Sequence, residues 1–121
     1  MVDKIISFVT MPRIRRNQTM VSGTLEYYIR ISKRHLDGHM YSTLDLARLE
    51  NTDPGKGRFK AVLLELERRL PTESSVSMIY VECVHNERLQ SFLLRNGYTR
   101  QKSLGEFFDH NYYKLFSAVT V

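Results

Sequence analysis

The chain has 121 residues, of which 42% are hydrophobic and 26% are charged, and its formal net charge is +5. This length predicts one domain, residues 1–121, with a sizeable hydrophobic core, and the composition excludes a disordered chain. The single cysteine excludes an internal disulfide and no apolar run is long enough to cross a membrane, so we expect a cytoplasmic protein.

The first half of the chain predicts strands. Lys4–Thr10 is rich in β-branched and aromatic residues and is predicted to be the first strand. Arg13–Gly23 is polar and basic without a helical period, which predicts a loop or at most one helical turn. Leu25–Lys33 and Met40–Leu49 are predicted strands, and the Asp37-Gly38 pair between them is typical of a tight hairpin turn.

The middle of the chain predicts a strand–helix–strand unit. Apolar residues recur at helical spacing over Arg58–Leu70, and Pro71 is predicted to end this helix. Ser77–Val84 is the predicted strand that follows. Such a unit joins two parallel strands by a right-handed crossover. We therefore predict an α+β domain with a mixed, mostly antiparallel sheet around the central crossover.

The last third predicts a short helix and two closing strands. Asn86 is a favourable N-cap for a helix over Glu87–Arg95, and Gly97 suits the left-handed residue that often follows a helix. Phe107-Phe108 and Tyr112–Phe116 are predicted to form a closing hairpin.

A glycine-rich turn, Asp53-Pro54-Gly55-Lys56-Gly57-Arg58, lies between a predicted strand and a predicted helix. Backbone N–H groups at such a helix start bind phosphate or pyrophosphate, and Lys56 and Arg58 add positive charge. A tight turn with no ligand is the alternative interpretation. The turn lacks the Gly-Lys-Ser/Thr of a P-loop and the third glycine of a dinucleotide fingerprint.

Two segments in this order, Leu49–Leu64 and Val84–Tyr98, resemble the GNAT superfamily of N-acetyltransferases. In that family a strand end is followed by a glycine-rich turn and a leucine-rich helix. A later strand is followed by Asn, a short helix and Gly-Phe or Gly-Tyr, as at Asn86 and Gly97-Tyr98. The resemblance covers Thr43 to about Thr99. It implies a GNAT-like fold with a reduced N-terminal helical region and transfer of an acetyl group from acetyl-CoA to an amine.

The same resemblance implies where acetyl-CoA would lie. The predicted strands Met40–Leu49 and Ser77–Val84 would splay apart, and the pantetheine arm would bond to the backbone of the first. The pyrophosphate would lie on the N–H groups of the glycine turn and the helix start. The implied cofactor-binding residues are Ala47, Leu49, Gly55, Lys56, Gly57, Arg58, Phe59, Lys60 and Asn86.

Two carboxylates are candidates for the catalytic base. Asp45 is predicted to share a strand face with Thr43, near the position where some GNAT relatives keep a general base. Glu82 stands among apolar neighbours in a predicted strand facing the proposed gap. For each residue the alternative is a structural role, solvated or salt-bridged. Tyr112 and Tyr113 are candidates for the acid, and the histidines lack the spacing of a zinc site.

Departures from the GNAT pattern keep other functions open. Pro54 stands where the family usually has Arg or Gln, and Phe59 stands where it usually has Gly or Ala. Leu93 stands where many members have Tyr. They motivate a non-catalytic binding protein on the same fold as the alternative.

The positive charge also suits nucleic acid, although no aromatic residues interleave with the basic cluster Arg13–Arg16, so that partner is not favoured. Exposed final strands could pair with a second copy to give a homodimer.

Overall fold

A computed structural model of the protein describes residues 2–10, 17–22, 25–51, 58–82, 84–101 and 110–116. Together these residues form helices packed on one mixed sheet, which confirms the predicted α+β class. In chain order the elements are α1 (Val2–Thr10), β1 (Asn17–Ser22), β2 (Leu25–Leu36), β3 (His39–Asn51), α2 (Arg58–Glu73), β4 (Met78–Val81), α3 (Glu87–Arg95), β5 (Thr99–Arg100) and β6 (Tyr112–Leu115).

The predicted hairpin is present as β2 and β3. Asp37 and Gly38 both have positive φ, 51° and 82°, which is the backbone of the tight turns that match strand twist. Pairing begins at Leu36 and His39 and continues in register, so that Arg30 lies opposite Asp45. The turn therefore determines which side chains of the two strands become neighbours.

The sheet has the order β1-β2-β3-β4-β6-β5. β3 and β4 are parallel, from Thr43 opposite Met78 to Leu46 opposite Val81, and the other neighbouring pairs are antiparallel. Helix α2 makes the connection between β3 and β4, so the predicted crossover is confirmed. β4 is shorter than the predicted strand Ser77–Val84.

The prediction of a strand over Lys4–Thr10 is wrong, because these residues belong to helix α1. Val2, Ile5, Ile6 and Val9 recur at the spacing of one helix face, and Ile5 and Ile6 are buried in the core. Their β-branched chemistry predicts a strand, but burial of this face against the sheet and α2 outweighs the small difference in local propensity.

The prediction of a loop or helical turn over Arg13–Gly23 is also wrong where the structure describes it. Asn17–Ser22 is strand β1, which pairs with β2 at the edge of the sheet. Its polar sequence has no alternating apolar pattern, so no strand is predicted there. Backbone hydrogen bonds to a neighbouring strand are nevertheless enough to order an edge strand. The basic cluster Arg13–Arg16 lies outside the described residues.

Helix α2 begins at Arg58 as predicted but continues past Pro71 to Glu73. Proline removes one backbone donor, and the end of the helix gains other hydrogen bonds instead. The N–H and the hydroxyl of Ser74 both donate to the Leu70 carbonyl, at 3.1 and 2.8 Å, and the Thr72 hydroxyl donates to the Arg69 carbonyl at 3.2 Å.

Helix α3 has both predicted ends. The Asn86 side chain accepts a hydrogen bond from the Leu89 N–H at 3.1 Å, which is the expected N-cap contact. Gly97 has a φ of 89°, a left-handed conformation that glycine adopts without strain.

The predicted final strand is confirmed as β6, but its described partners are β4 and β5. Phe107-Phe108, the other half of the predicted closing hairpin, lies outside the described residues. Lys114 of β6 donates to Glu67 of α2 and, at 2.7 Å, to the Asn96 carbonyl at the end of α3. This one ammonium group therefore joins the sheet to two helices.

Residues from α1, α2 and α3 share one core cluster with alternate residues of the sheet, among them Ile29, Leu44, Leu46, Ile79 and Val81. The intervening side chains of β2, β3 and β4 point to the opposite face of the sheet. Within the described ranges, no helix combines the length and apolar character needed to span a membrane.

Candidate functional site

The parallel ladder of β3 and β4 ends partway along β3. Its last described pair is Leu46 and Val81, followed by a hydrogen bond of 2.9 Å from the Glu82 N–H to the Leu46 carbonyl. β3 continues to Asn51, and over Ala47–Asn51 its pairing in the described part of the chain is with β2 on its other side. Among the residues that the structure describes, none pairs with the outer backbone edge of this segment, and such an edge can bind an extended ligand.

A basic cavity of about 430 Å³ lies along α3, next to the start of α2. Its lining residues are Lys60 on α2 and Glu87, Arg88, Ser91 and Arg95 on α3. Three of these five carry positive charge. Lys60 lies in the first turn of α2 and Glu87 in the first turn of α3, so the positive ends of both helix dipoles lie near one end of the cavity. Together with the three cationic side chains they favour an anionic ligand.

The implied cofactor residues fall into two groups. Gly55, Lys56 and Gly57 lie outside the described residues, as do Asp53 and Pro54 of the same turn, so the glycine turn stays a prediction. The remaining implied residues are placed: Ala47 and Leu49 on β3, Arg58, Phe59 and Lys60 at the start of α2, and Asn86 at the N-cap of α3.

The side chains at the start of α2 have different environments. The Phe59 side chain is buried in the core cluster and anchors the helix start. The Lys60 ammonium lies 5.1 Å from the centre of the Phe92 ring and also borders the basic cavity. Lys60 thus combines a cation–π contact with α3 and a position from which it can contact an anion.

Asp45 is fully buried on the polar face of β3. Its carboxylate accepts hydrogen bonds from Arg30 at 2.9 Å, from Ser32 at 2.7 Å, from Thr43 at 2.8 Å and from Arg34 at 2.9 and 3.3 Å. Five donor contacts fill the acceptor positions of a carboxylate. This geometry is typical of a structural anion that organises neighbouring charges.

Glu82 joins the same arrangement from the end of β4. Its carboxylate accepts from Arg30 and, at 3.1 Å, from Arg34, so two arginines bridge the two carboxylates. The Glu82 side chain is 18% exposed, whereas that of Asp45 is 0% exposed. We call Arg30, Arg34, Asp45 and Glu82 the four-charge cluster.

Sequence reasoning identifies both carboxylates of this cluster but misses Arg30 and Arg34. A signal for the two arginines is nevertheless present in the chain. The Asp37-Gly38 turn sets the hairpin register, which places Arg30 opposite Asp45 and Arg34 on the same face. A two-residue turn at this position therefore predicts that these arginines and Asp45 are neighbours.

Arg34 also contacts Tyr80 of β4. The guanidinium carbon lies 3.6 Å from the centre of the Tyr80 ring, and the Tyr80 hydroxyl donates to Gln101. Burial raises the pKa of Tyr80, with Arg34 acting in the opposite direction. The hydroxyl therefore stays protonated at neutral pH.

The candidate tyrosine acids lie in different places. Tyr112 is 1% exposed and belongs to the core cluster, whereas Tyr113 pairs with Tyr80 and borders a second cavity on the polar face. Leu93, at the position where many GNAT proteins have tyrosine, is fully buried in the core. Burial, with Glu67 nearby, also raises the pKa of the core residue Tyr98.

His85 and His110 form a ring pair with centroids 4.5 Å apart beyond the end of β4. Among the side chains that the structure describes, no three His, Cys, Asp or Glu groups come close enough to hold a metal ion.

The fold is the mixed α+β fold of GNAT-type acetyltransferases. No protein-family model and no curated protein matches the chain. A mutant AtaT toxin bound to the C-terminus of the antitoxin AtaR superposes with a TM-score of 0.58 at 13% identity, over 77% of this chain and 59% of that chain. The same mutant toxin with AtaR and acetyl-CoA gives 0.57 at 16% identity, over 77% and 59%.

The KacTA–DNA complex gives a TM-score of 0.56 at 17% identity, over 77% of this chain and 58% of that chain. The chain thus spans less than two thirds of the length of the matched chain in each of these three solved structures. Likeness at these identities establishes a shared fold.

Proposed function

We propose that this protein is an N-acetyltransferase that transfers the acetyl group of acetyl-CoA to an amine of a small molecule or a protein. The observation that carries the proposal is the end of the β3–β4 ladder at Leu46 and Val81 beside the start of α2. The gap offers backbone groups to an extended amide-containing arm, and the adjoining helix starts offer positive charge to phosphates. The solved mutant AtaT toxin with acetyl-CoA, a protein of the same fold, supports the choice of cofactor.

The described residues suggest how the cofactor would be held. The pantetheine arm would bond to the β3 backbone over Ala47–Leu49. The phosphates would lie toward Lys60, Arg88 and Arg95, whose side chains border the basic cavity. The backbone N–H groups of the glycine turn, Gly55–Gly57, would complete this part of the site as the sequence predicts.

The two candidate bases would have different roles. Asp45 is buried and fully hydrogen-bonded, so we assign it to positioning Arg30 and Arg34. Glu82 is partly exposed and lies where the ladder ends, next to the proposed thioester position. It is the better placed carboxylate to accept a proton from the attacking amine.

Isothermal titration with acetyl-CoA tests the proposal. We expect saturable binding that weakens about tenfold in Arg88→Glu, the size of one lost charge-assisted contact of about 1.4 kcal/mol. Lys4→Glu, which makes the same charge change on the exposed face of α1, is the matched control and should bind as the wild type. Absence of heat at high micromolar acetyl-CoA would refute acetyl-CoA binding.

A non-catalytic binding protein on this fold is the second candidate, acting by contact with protein or nucleic acid. The four-charge cluster favours it, because both candidate bases are engaged with Arg30 and Arg34. An assay of CoA thiol release with an identified amine distinguishes the two functions. Acetylation of that amine would rule out the non-catalytic alternative.

A further inference from the structure

The two arginines of the four-charge cluster reach their carboxylates in different ways. Arg30 lies directly opposite Asp45, so the pairing of β2 with β3 already brings it to that carboxylate. Arg34 lies opposite Tyr41, four residues along β3 from Asp45, and its side chain extends along the sheet to reach Asp45 and Glu82. Holding a long side chain extended costs conformational entropy, which further contacts of its guanidinium group offset.

The Tyr80 ring supplies such a contact to Arg34. The guanidinium carbon lies 3.6 Å from the centre of the ring, and Nη2 of the same group donates to Asp45 at 2.9 Å and to Glu82 at 3.1 Å. A guanidinium over a ring face keeps its in-plane N–H groups able to donate to carboxylates. Tyr80 also lies directly opposite Asp45 in the parallel ladder, so the ring is fixed at the level of the cluster.

Tyr80 is held at both ends. It is 4% exposed, its backbone belongs to β4, and its hydroxyl donates to the side chain of Gln101, which follows β5. The Gln101 N–H in turn donates at 2.8 Å to the Asn111 carbonyl, next to β6. The position of the ring is therefore determined by the sheet on both sides, and the ring can restrain the guanidinium that lies over it.

Both arginines contact the same oxygen of Glu82. Nη2 of Arg30 and Nη2 of Arg34 each donate to Oε1, which leaves Oε2 outside these two ion pairs. Cations beside a carboxylate favour its ionised form. An ionised carboxylate that is oriented through one oxygen can accept a proton at the other.

From this geometry we propose that Tyr80 is a positioning residue for the base: its ring fixes the Arg34 guanidinium, which keeps the Glu82 carboxylate ionised and oriented. The inference rests on the proposed function, in which Glu82 accepts a proton from the amine. That proton would pass to Oε2 as the nitrogen attacks the carbonyl carbon of the acetyl thioester, so that a C–N bond forms and the C–S bond breaks. Its transfer to the departing thiolate returns Glu82 to the ionised form, and the products are the N-acetyl compound and CoA with a free thiol.

The pH titration of Glu82 tests the inference on the protein alone, without acetyl-CoA or an amine. NMR of carboxyl groups in ¹³C-labelled glutamate follows it, with the signal assigned by Glu82→Gln. Tyr80→Leu removes the ring, so the titration midpoint should rise by about half a pH unit, the size expected for loss of one cation–π contact. Tyr80→Phe keeps the ring and should titrate as the wild type. Should Tyr80→Leu fail to fold, Tyr80→Met removes the ring while filling more of its space.

A control on the same strand separates positioning from packing. Ile79 precedes Tyr80 in β4 but is fully buried in the core cluster on the other face of the sheet. Ile79→Val should therefore lower stability without moving the Glu82 midpoint.

Acetyl transfer gives a second measurement. Tyr80→Leu should lower kcat by about tenfold, a part of the full effect of a general base, with the KM for acetyl-CoA nearly unchanged. The acid limb of its kcat/KM pH profile should move with the NMR midpoint, and Tyr80→Phe should restore both values.

The two measurements distinguish this inference from the proposed function. A Glu82 midpoint unchanged in the folded ring-less variant, or shifted equally in Tyr80→Phe or Ile79→Val, would overturn the inference even if the protein acetylates amines. The expected midpoint shift in a protein that acetylates no amine would support the coupling of Tyr80 to Glu82 and refute the proposed reaction.

Discussion

Replacement of Asp45 by Asn tests whether this residue is a structural anion or the catalytic base. The side chain is 0% exposed and lies within 3.3 Å of donors on Arg30, Ser32, Arg34 and Thr43. Loss of the buried negative charge leaves two guanidinium groups with Glu82 as their remaining partner in the cluster.

Breaking a buried ion pair by removing one partner costs about 3–5 kcal/mol. The arginine side chains are 36% and 28% exposed, so water recovers part of this energy. We therefore expect a loss of about 3 kcal/mol in the free energy of unfolding, at the lower end of that range. With an m-value of about 1.5 kcal/mol per molar urea, the urea midpoint should fall by roughly 2 M.

Urea denaturation followed by circular dichroism measures this shift. Asp37→Asn makes the same change at an exposed turn residue whose positive φ suits asparagine, and its midpoint should stay near that of the wild type. A midpoint unchanged in Asp45→Asn would refute the anchoring role. Unchanged stability combined with loss of acetyl transfer would instead identify Asp45 as the base.

Three further predictions concern the helices. Ile5→Ala should lower the free energy of unfolding by about 2–5 kcal/mol, because Ile5 is fully buried. Lys4→Ala, on the exposed face of α1, should change it little. Equal effects of the two substitutions in urea titrations would contradict the helical assignment of α1. Asn86→Ala should lower the free energy of unfolding by about 1 kcal/mol, measured in the same way, because the N-cap of α3 is lost. Asn86→Ser keeps a capping side chain, so equal losses of stability in the two variants would argue against capping. The Arg69 guanidinium lowers the pKa of Glu73. The stability that this pair contributes is therefore present above pH 4.5, the ordinary pKa of a glutamate, and is lost as the pH falls further. Arg69→Gln should flatten this acid dependence of the free energy of unfolding, and an unchanged pH profile would refute the coupling.

The sequence predicts the elements whose local signals agree with their tertiary environment. The Asp37-Gly38 turn has the backbone that its residues favour, and α3 has a good cap at each end. The prediction for α1 fails because its β-branched residues favour strands, whereas their spacing matches a buried helix face. The prediction for β1 fails because edge pairing through the backbone leaves little hydrophobic pattern.

The candidate site is predictable in part. Asp45 and Glu82 stand out because acidic residues in strands are unusual. That the same two arginines bridge them depends on the pairing of β3 with β4, which lie far apart in sequence. The two cavities depend on how helices and strands from distant segments pack: Lys60 and Arg88 border one of them, and Arg34 contacts Tyr80 at the other. No local propensity encodes those distances.

The β2–β3 hairpin has a consequence for the order of folding. Its strands pair across a two-residue turn over 25–51, so its first contacts close very short loops. β4 reaches β3 only after the whole of α2 has been placed between them, which closes a much longer loop at a greater entropic cost. We expect the hairpin to form before the parallel pairing, so the gap between β3 and β4 is completed late. Pulse-labelling hydrogen exchange during refolding should protect the β2 and β3 amides before those of β4, and simultaneous protection would contradict this order.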